Sequence, residues 1–346
     1  METITVSAST EYDVLIDNGI INKCGELTAE KISPCKVCII TDDNVKKIYL
    51  ETVEKSYKNA GFDVISFSFP DGENSKNIKT ISDIHEFLAE NHLTRSDIII
   101  ALGGGIVGDT AGFAAATYLR GIKFVQIPTT FLAAIDSSVG GKTGVNLNAG
   151  KNLCGAFHQP SLVICDPECF KTMDKERYLD GTAEAVKYAV LKDENIIDYI
   201  RNDIIKTVTE CVKIKRDIVS RDEFDTGERQ LLNLGHTLGH AIEKLSDFEI
   251  THGHAVAIGM VLISEAGEKS GITKPGTAEK IKSVLKEEGL PVSCKYTAEE
   301  LCDIALNDKK RTGGTITLVI PDMIGKCELR KVKVSELFDF VKGGIS

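Results

Sequence analysis

The sequence predicts an α/β protein: an N-terminal Rossmann-like nucleotide-binding domain, then a mostly α-helical domain. Three observations carry this. Short β-rich runs alternate with helical patterns through the first half of the chain, as a parallel sheet requires. One of those runs ends in a glycine-rich turn that opens a small-residue helix. From Glu176 to Glu288 the periodicity is helical, and four of the seven histidines fall between residues 236 and 254. The texture changes near residue 165, giving domains at 1–165 and 166–346.

In chain order, Val37–Ile40, Asp63–Phe69, Asp97–Leu102 and Lys123–Ile127 read as strands. Val45–Ala60 and Ile78–Asn91 read as the helices between them. Thr315–Pro321, after Gly313-Gly314, is a final β-like stretch. The composition is 42% hydrophobic and 27% charged, with a net charge of −10. That balance argues against nucleic acid or an anionic membrane as partner, but not against a small anion held by local cations. The start, Met-Glu-Thr-Ile-Thr-Val, lacks the basic and apolar regions of a signal peptide, and no apolar run reaches spanning length, so a cytoplasmic location is expected. Of ten cysteines, only Cys35 and Cys38 form C-x-x-C. They run into a strand, where residues three apart face opposite ways, so free thiols are expected.

Gly103, Gly105 and Gly108 fit G-x-G-x-x-G after the strand Asp97–Leu102. Such glycines allow close backbone approach, and the following helix N-terminus favours a pyrophosphate. The acidic residue normally found about twenty residues on is missing from Phe124–Thr130. Asp42, after an earlier strand, can take the ribose role instead. The loop Asp71-Gly-Glu-Asn-Ser-Lys76 adds a carboxylate and an ammonium for ribose and phosphate.

Asp136-Ser-Ser-Val-Gly-Gly-Lys-Thr143 ends like a P-loop, but Asp136 stands where that motif needs its first glycine. A nucleotide kinase is therefore rejected. Lys142 and Lys151 remain as glycine-adjacent lysines in a stretch of low charge, suited to binding an anion.

Arg229, Asn233, His236 and His240 are spaced four, three and four apart. On one continuous helix, expected over Glu228–Glu243, they project within roughly 60° of each other, opposite Leu231, Leu234, Leu238 and Ile242. Solvated polar faces are normally rich in Lys and Glu, whereas this one carries imidazoles. His252 and His254 precede an apolar helix, Ala255–Ala266, and Glu184 starts another with Lys187 one turn later. Three ligands and an open position make a catalytic metal site; spacing alone leaves the set open among four histidines and several glutamates.

Together these motifs resemble one family over essentially the whole chain: 3-dehydroquinate synthase, the sugar-phosphate cyclase of the shikimate pathway. Asp136-Ser-Ser-Val-Gly-Gly-Lys-Thr143 and Asn233-Leu-Gly-His-Thr-Leu-Gly-His240 are its most specific elements. Arg120-Gly121, Pro128-Thr-Thr130, Gly150-Lys-Asn152, His252-Gly253 and Asp308-Lys-Lys310 follow the same pattern. The resemblance implies that 3-deoxy-D-arabino-heptulosonate 7-phosphate becomes 3-dehydroquinate and phosphate, through NAD-dependent oxidation, phosphate elimination, re-reduction and aldol closure. It implies NAD and zinc, with Co2+ or another divalent metal as a substitute. Glu184, His236 and His252 would ligate the metal. Asp136, Lys142, Asn152, Lys187, Arg229, Asn233, His240 and one of Lys309 and Lys310 would meet the substrate, with Arg120 reaching its phosphate across a homodimer interface. Asp42, Asn44, Asp71, Glu73, Lys76, Gly105, Ile106, Val107, Gly108, Asp109, Thr129, Thr130, Lys142, Lys151 and Thr172 would line NAD. Two departures stand out. His254 replaces the family's usual glutamate, leaving an additional imidazole near the metal. Met-Asp also follows Thr172 where Leu-Pro is common. The rival activities are an inosose- or valiolone-type cyclase and a metal-dependent polyol dehydrogenase.

Overall fold

A computed structural model describes residues 1–307 and 314–344. It resolves into two compact units: residues 1–173 with 215–224, and residues 174–214 with 225–346. The sequence places the boundary at 165. The structure parts at 173 instead, because the 3-10 helix Pro167–Thr172 belongs with the first unit, and it returns residues 215–224 to that unit.

The first unit contains β1 (Glu2–Val6), β2 (Tyr12–Ile16), β3 (Lys36–Asp42), β4 (Asp63–Phe69), β5 (Ile98–Gly103), β6 (Lys123–Pro128), β7 (Lys142–Leu147), β8 (Gly150–Phe157) and β9 (Leu162–Cys165). Seven of these form one sheet in the order β1-β2-β9-β6-β5-β3-β4. All its pairings are parallel except β1 with β2. Every residue of β5 is buried, so it reads as a continuous apolar run rather than an alternation, as a strand covered on both faces should. The chain leaves β3 first for β4 on one side and then for β5 on the other. That reversal opens a crevice at the carboxyl ends of β3 and β5.

Two helices flank this point. In α1 (Ile78–Glu90) the buried stripe is Ile81, Ile84 and Leu88, and the Asn77 side chain caps it by accepting from Thr80 N at 3.0 Å. In α2 (Gly105–Thr117) Ala111, Ala114 and Ala115 pack with Ile84, Leu88, Ile99 and Ala101 in one core.

The four strands read from the first half are all present. The expected helix Val45–Ala60 is a short helical turn at Asp43–Val45, a π-helical stretch at Lys46–Leu50 and an α-helix at Glu51–Asn59. The β7–β8 hairpin went unseen because Gly144, Gly150 and Gly155 interrupt its apolar alternation; the segment Asp136–Thr143 read as a loop.

In the second unit α3 (Lys175–Leu191), α4 (His236–Leu245) and α5 (His252–Lys269) carry the residues of interest. A hairpin of β10 (Thr315–Met323) and β11 (Lys326–Lys333) accompanies them. Only its first strand was legible, since β11 is mostly exposed and polar. All ten cysteines are free. No helix among the described residues is long and apolar enough to cross a membrane.

Candidate active site

In the first unit the residues assigned to the nucleotide gather at the carboxyl ends of the parallel strands. Asp42 ends β3, and its carboxylate accepts from the backbone N–H groups of Asn44 and Val45, both at 2.9 Å. Asn44 donates to Asp71, which follows β4, at 2.6 Å. Gly105, Ile106, Val107, Gly108 and Asp109 form the first turns of α2 after β5. Thr129 and Thr130 follow β6, and Thr129 N–H bonds Gly103 O at 3.0 Å. Lys76 is buried and pairs with Asp109 at 2.6 Å. Burial pushes the Asp109 carboxyl up from its ordinary pKa, against the pull of Lys76. Glu73 accepts from Asn146 at 2.7 Å, and Thr172 shares a 2.7 Å hydrogen bond with Tyr49.

Asn146 also accepts from Asn152 N at 2.8 Å, which ties the β7–β8 hairpin to the Glu73–Lys76 loop. Asn152 holds a left-handed φ of 55°. Lys142 opens β7 and Lys151 lies on β8, both exposed. Asp136 is engaged by Lys215 at 2.7 Å. Lys215 is buried and was passed over in the sequence, where it sits in a charged helical run without a motif; only its partner marks it. Arg120 is exposed in a turn where Leu119, Arg120 and Gly121 all have positive φ, 49°, 70° and 116°. Two consecutive non-glycine residues there store strain of the kind that accompanies a held functional side chain.

In the second unit, Glu184 in the middle of α3, His236 at the start of α4 and His252 at the start of α5 place one ligand atom each within 4.8 Å of one another. Both imidazole Nε2 atoms lie 3.6 Å from Glu184 Oε1. Glu184 is 1% exposed, and its other oxygen is in contact with the buried Lys187 ammonium. His236 Nδ1 bonds Leu234 O at 3.0 Å, and His252 Nδ1 bonds Glu243 at 3.2 Å. One carboxylate and two imidazoles with their second nitrogens already engaged suit zinc or cobalt. Burial drives the His236 pKa down to about 3. Burial also opposes protonation of His252, but hydrogen bonds to Glu184 and Glu243 outweigh it and hold its pKa up at about 10.

The continuous helix expected for residues 228–243 is not formed. Glu228–Asn233 is a 3-10 helix, and α4 begins afresh at His236. Gly235 breaks the run with φ 77°, and a Cβ on it would lie 2.6 Å from Val256 O of α5. The two helices thus pack backbone to backbone at glycine, and the break frees Leu234 O for the His236 ring. Arg229 is buried at 2% exposure, while Asn233 and His240 are exposed. The His240 ring centroid lies 5.4 Å from that of His236 and 5.8 Å from that of His252. Asn233, His236, His240 and Lys244 line a cavity of 580 Å³.

His252 and His254 lie on the first turn of α5 rather than before it. His254 turns to Thr251 at 2.6 Å and Glu176 at 3.1 Å, and Asp180 accepts from Thr251 Oγ1 and Gly253 N. A Cβ on Gly253 would lie 2.3 Å from Asp180 Cα, so glycine there lets α5 close on α3. Lys309 and Lys310 lie outside the described residues.

Residues 66–180 match the 3-dehydroquinate synthase N-terminal family, and residues 181–311 match the 3-dehydroquinate synthase C-terminal family. Over 354 residues the chain is 44% identical to a 3-dehydroquinate synthase of Clostridium acetobutylicum, covering 99% of each. Two solved structures share the fold. One is a 2-deoxy-scyllo-inosose synthase complexed with carbaglucose-6-phosphate, NAD+ and Co2+, with TM-score 0.88 and 22% identity over 99% of this chain and 100% of that one. The other is a 2-epi-5-epi-valiolone synthase from Streptomyces hygroscopicus with NAD+ and Zn2+ bound, with TM-score 0.86 and 24% identity over 98% of both.

Proposed function

The chain belongs to the 3-dehydroquinate synthase family, and from that premise we propose which of its residues perform the reaction. The activity is that of a carbon–oxygen lyase of the shikimate pathway, turning 3-deoxy-D-arabino-heptulosonate 7-phosphate into 3-dehydroquinate and phosphate. The observation that carries the residue assignment is the meeting of Glu184, His236 and His252 beside Lys187.

Glu184, His236 and His252 hold a divalent metal, zinc or cobalt, and the residues at the carboxyl ends of β3 to β6 hold NAD. When bound, NAD supplies a reversible hydride acceptor and the metal a Lewis acid. The donor set supports the metal, and two fold relatives carry NAD+ with Co2+ or Zn2+. The chain supplies the rest by placing charge and orienting groups. Asp136, fixed by Lys215, and His240 act as polar contacts that orient substrate hydroxyls. Asn152 and Asn233 add amides. Lys142, Lys187, Arg229 and one of Lys309 and Lys310 neutralise carboxylate and phosphate in a chain of net charge −10. Arg120, exposed on its strained turn, reaches the phosphate held by the second copy of a homodimer. Free thiols throughout accord with a cytoplasmic location.

The test is phosphate release from the heptulosonate phosphate with a catalytic amount of NAD, with and without chelator. Turnover without net NADH, lost on chelation and restored by zinc or cobalt, is expected. Stoichiometric NADH would point to a polyol dehydrogenase. Turnover of a sugar phosphate lacking the carboxylate would point to another cyclase.

A further inference from the structure

His252 is the most exposed of the three proposed metal ligands, with 34% of its side chain open against 13% for His236 and 1% for Glu184. It is also the first residue of its helix. Among the described residues, two groups that could hold a metal share it: Glu184, His236 and His252, and alternatively His240, Glu243 and His252. Something has to decide which of its nitrogens faces the metal.

The two imidazoles around Glu184 are arranged alike. Each turns Nε2 toward Glu184 Oε1 at the same 3.6 Å, and each has Nδ1 held from behind. For His236 the holder is a backbone carbonyl, Leu234 O, at 3.0 Å. For His252 it is a buried carboxylate, Glu243, at 3.2 Å. Glu243 lies on α4, one helical turn beyond His240, so the helix that brings His236 to the metal also carries the group that aims His252.

Resting on the metal assignment above, we propose that Glu243 is a positioning residue for the metal site: it accepts a hydrogen bond from Nδ1–H of His252, fixes the tautomer that leaves Nε2 for the metal, and does not itself ligate it. A carboxylate behind an imidazole also strengthens it as a donor, which the carbonyl behind His236 does less. The two histidines are therefore unequal ligands, and the more exposed one has the stronger support. Glu243 acts only through His252 and touches no reacting atom.

The test compares Glu243→Gln, Glu243→Ala and Glu184→Gln with the parent. Zinc affinity is measured by chelator competition, the visible absorption of the Co2+-loaded protein is recorded, and thermal midpoints are taken metal-free. An amide oxygen can still accept a hydrogen bond from Nδ1–H, so Glu243→Gln is expected to weaken zinc roughly tenfold, and Glu243→Ala up to about a hundredfold. The Co2+ spectrum of Glu243→Gln should keep the parent's band positions, because the ligands are unchanged. Parent-like zinc affinity in both Glu243 variants overturns the proposal. So does a Co2+ spectrum shifted as far in Glu243→Gln as in Glu184→Gln, because that makes Glu243 a ligand. If Glu184→Gln binds zinc like the parent, the metal assignment itself falls. Should Glu243→Ala fail to fold, the Gln variant decides alone.

Discussion

At the scale of single residues, Glu184 has the Lys187 ammonium against one oxygen and two imidazole nitrogens 3.6 Å from the other. Glu184→Gln is expected to remove metal and turnover together, measured by metal content after dialysis and by phosphate release. His240 stands beside the triad without belonging to it, so His240→Ala should impair turnover and leave zinc in place; loss of zinc would reassign it. The two ligand histidines also differ in protonation. His236 is already neutral at ordinary pH, whereas His252 keeps its proton up to about pH 10 in the metal-free protein. Metal uptake must displace that one proton, so apparent affinity should rise about tenfold per pH unit below that value. Calorimetry in buffers of different ionisation enthalpy reads the released proton directly. In the first unit, Lys76→Met takes the Lys76 ammonium from the partly buried Asp109 carboxylate and is expected to cost about 1–3 kcal/mol in urea unfolding, along with weaker NAD binding. Most of these residues were legible from sequence because they sit in motifs. Lys215 and Glu243 were not, since each matters through one partner brought close only by folding.

At the scale of elements, the sequence pattern located four strands of the sheet and α1 because apolar periodicity records burial. It failed at the residues 228–243 segment for a physical reason. Spacing of four, three and four is compatible with one helix, but Gly235 has a left-handed φ of 77° and backbone contact with α5, and neither leaves a trace in periodicity. The break does chemical work, since Leu234 O is free for His236 only because the helix stops there. Gly235→Ala should therefore disturb the metal site more than its size suggests. A loss of at least about 1 kcal/mol is expected from strain and overpacking, with zinc affinity falling as well. Unchanged zinc affinity in a folded Gly235→Ala protein would detach the break from the metal. The glycine-poor, polar strand β11 and the glycine-interrupted β7–β8 hairpin were missed for the opposite reasons: one has too little apolar content to signal a strand, the other too many breaks.

At the scale of the whole molecule, the proposed NAD and metal residues fall in different compact units, so the two ligands should act on different parts of the chain. NAD is expected to slow amide exchange within residues 1–173, and zinc within residues 174–214 and 225–307. Each ligand at a hundredfold excess over its Kd should raise global stability by about 2.7 kcal/mol, seen as a shift in the thermal midpoint. Four of the cations near these sites, Lys76, Lys187, Lys215 and Arg229, are buried, while the chain as a whole carries a charge of −10. At low ionic strength the net charge of −10 repels an approaching dianion; within the Debye length, about 8 Å at physiological ionic strength, it meets exposed Arg120, Lys142 and Lys151 before the buried cations. Encounter is then opposed at long range and rewarded only on arrival. Added salt, which slows enzymes that steer their substrates electrostatically, should here quicken capture.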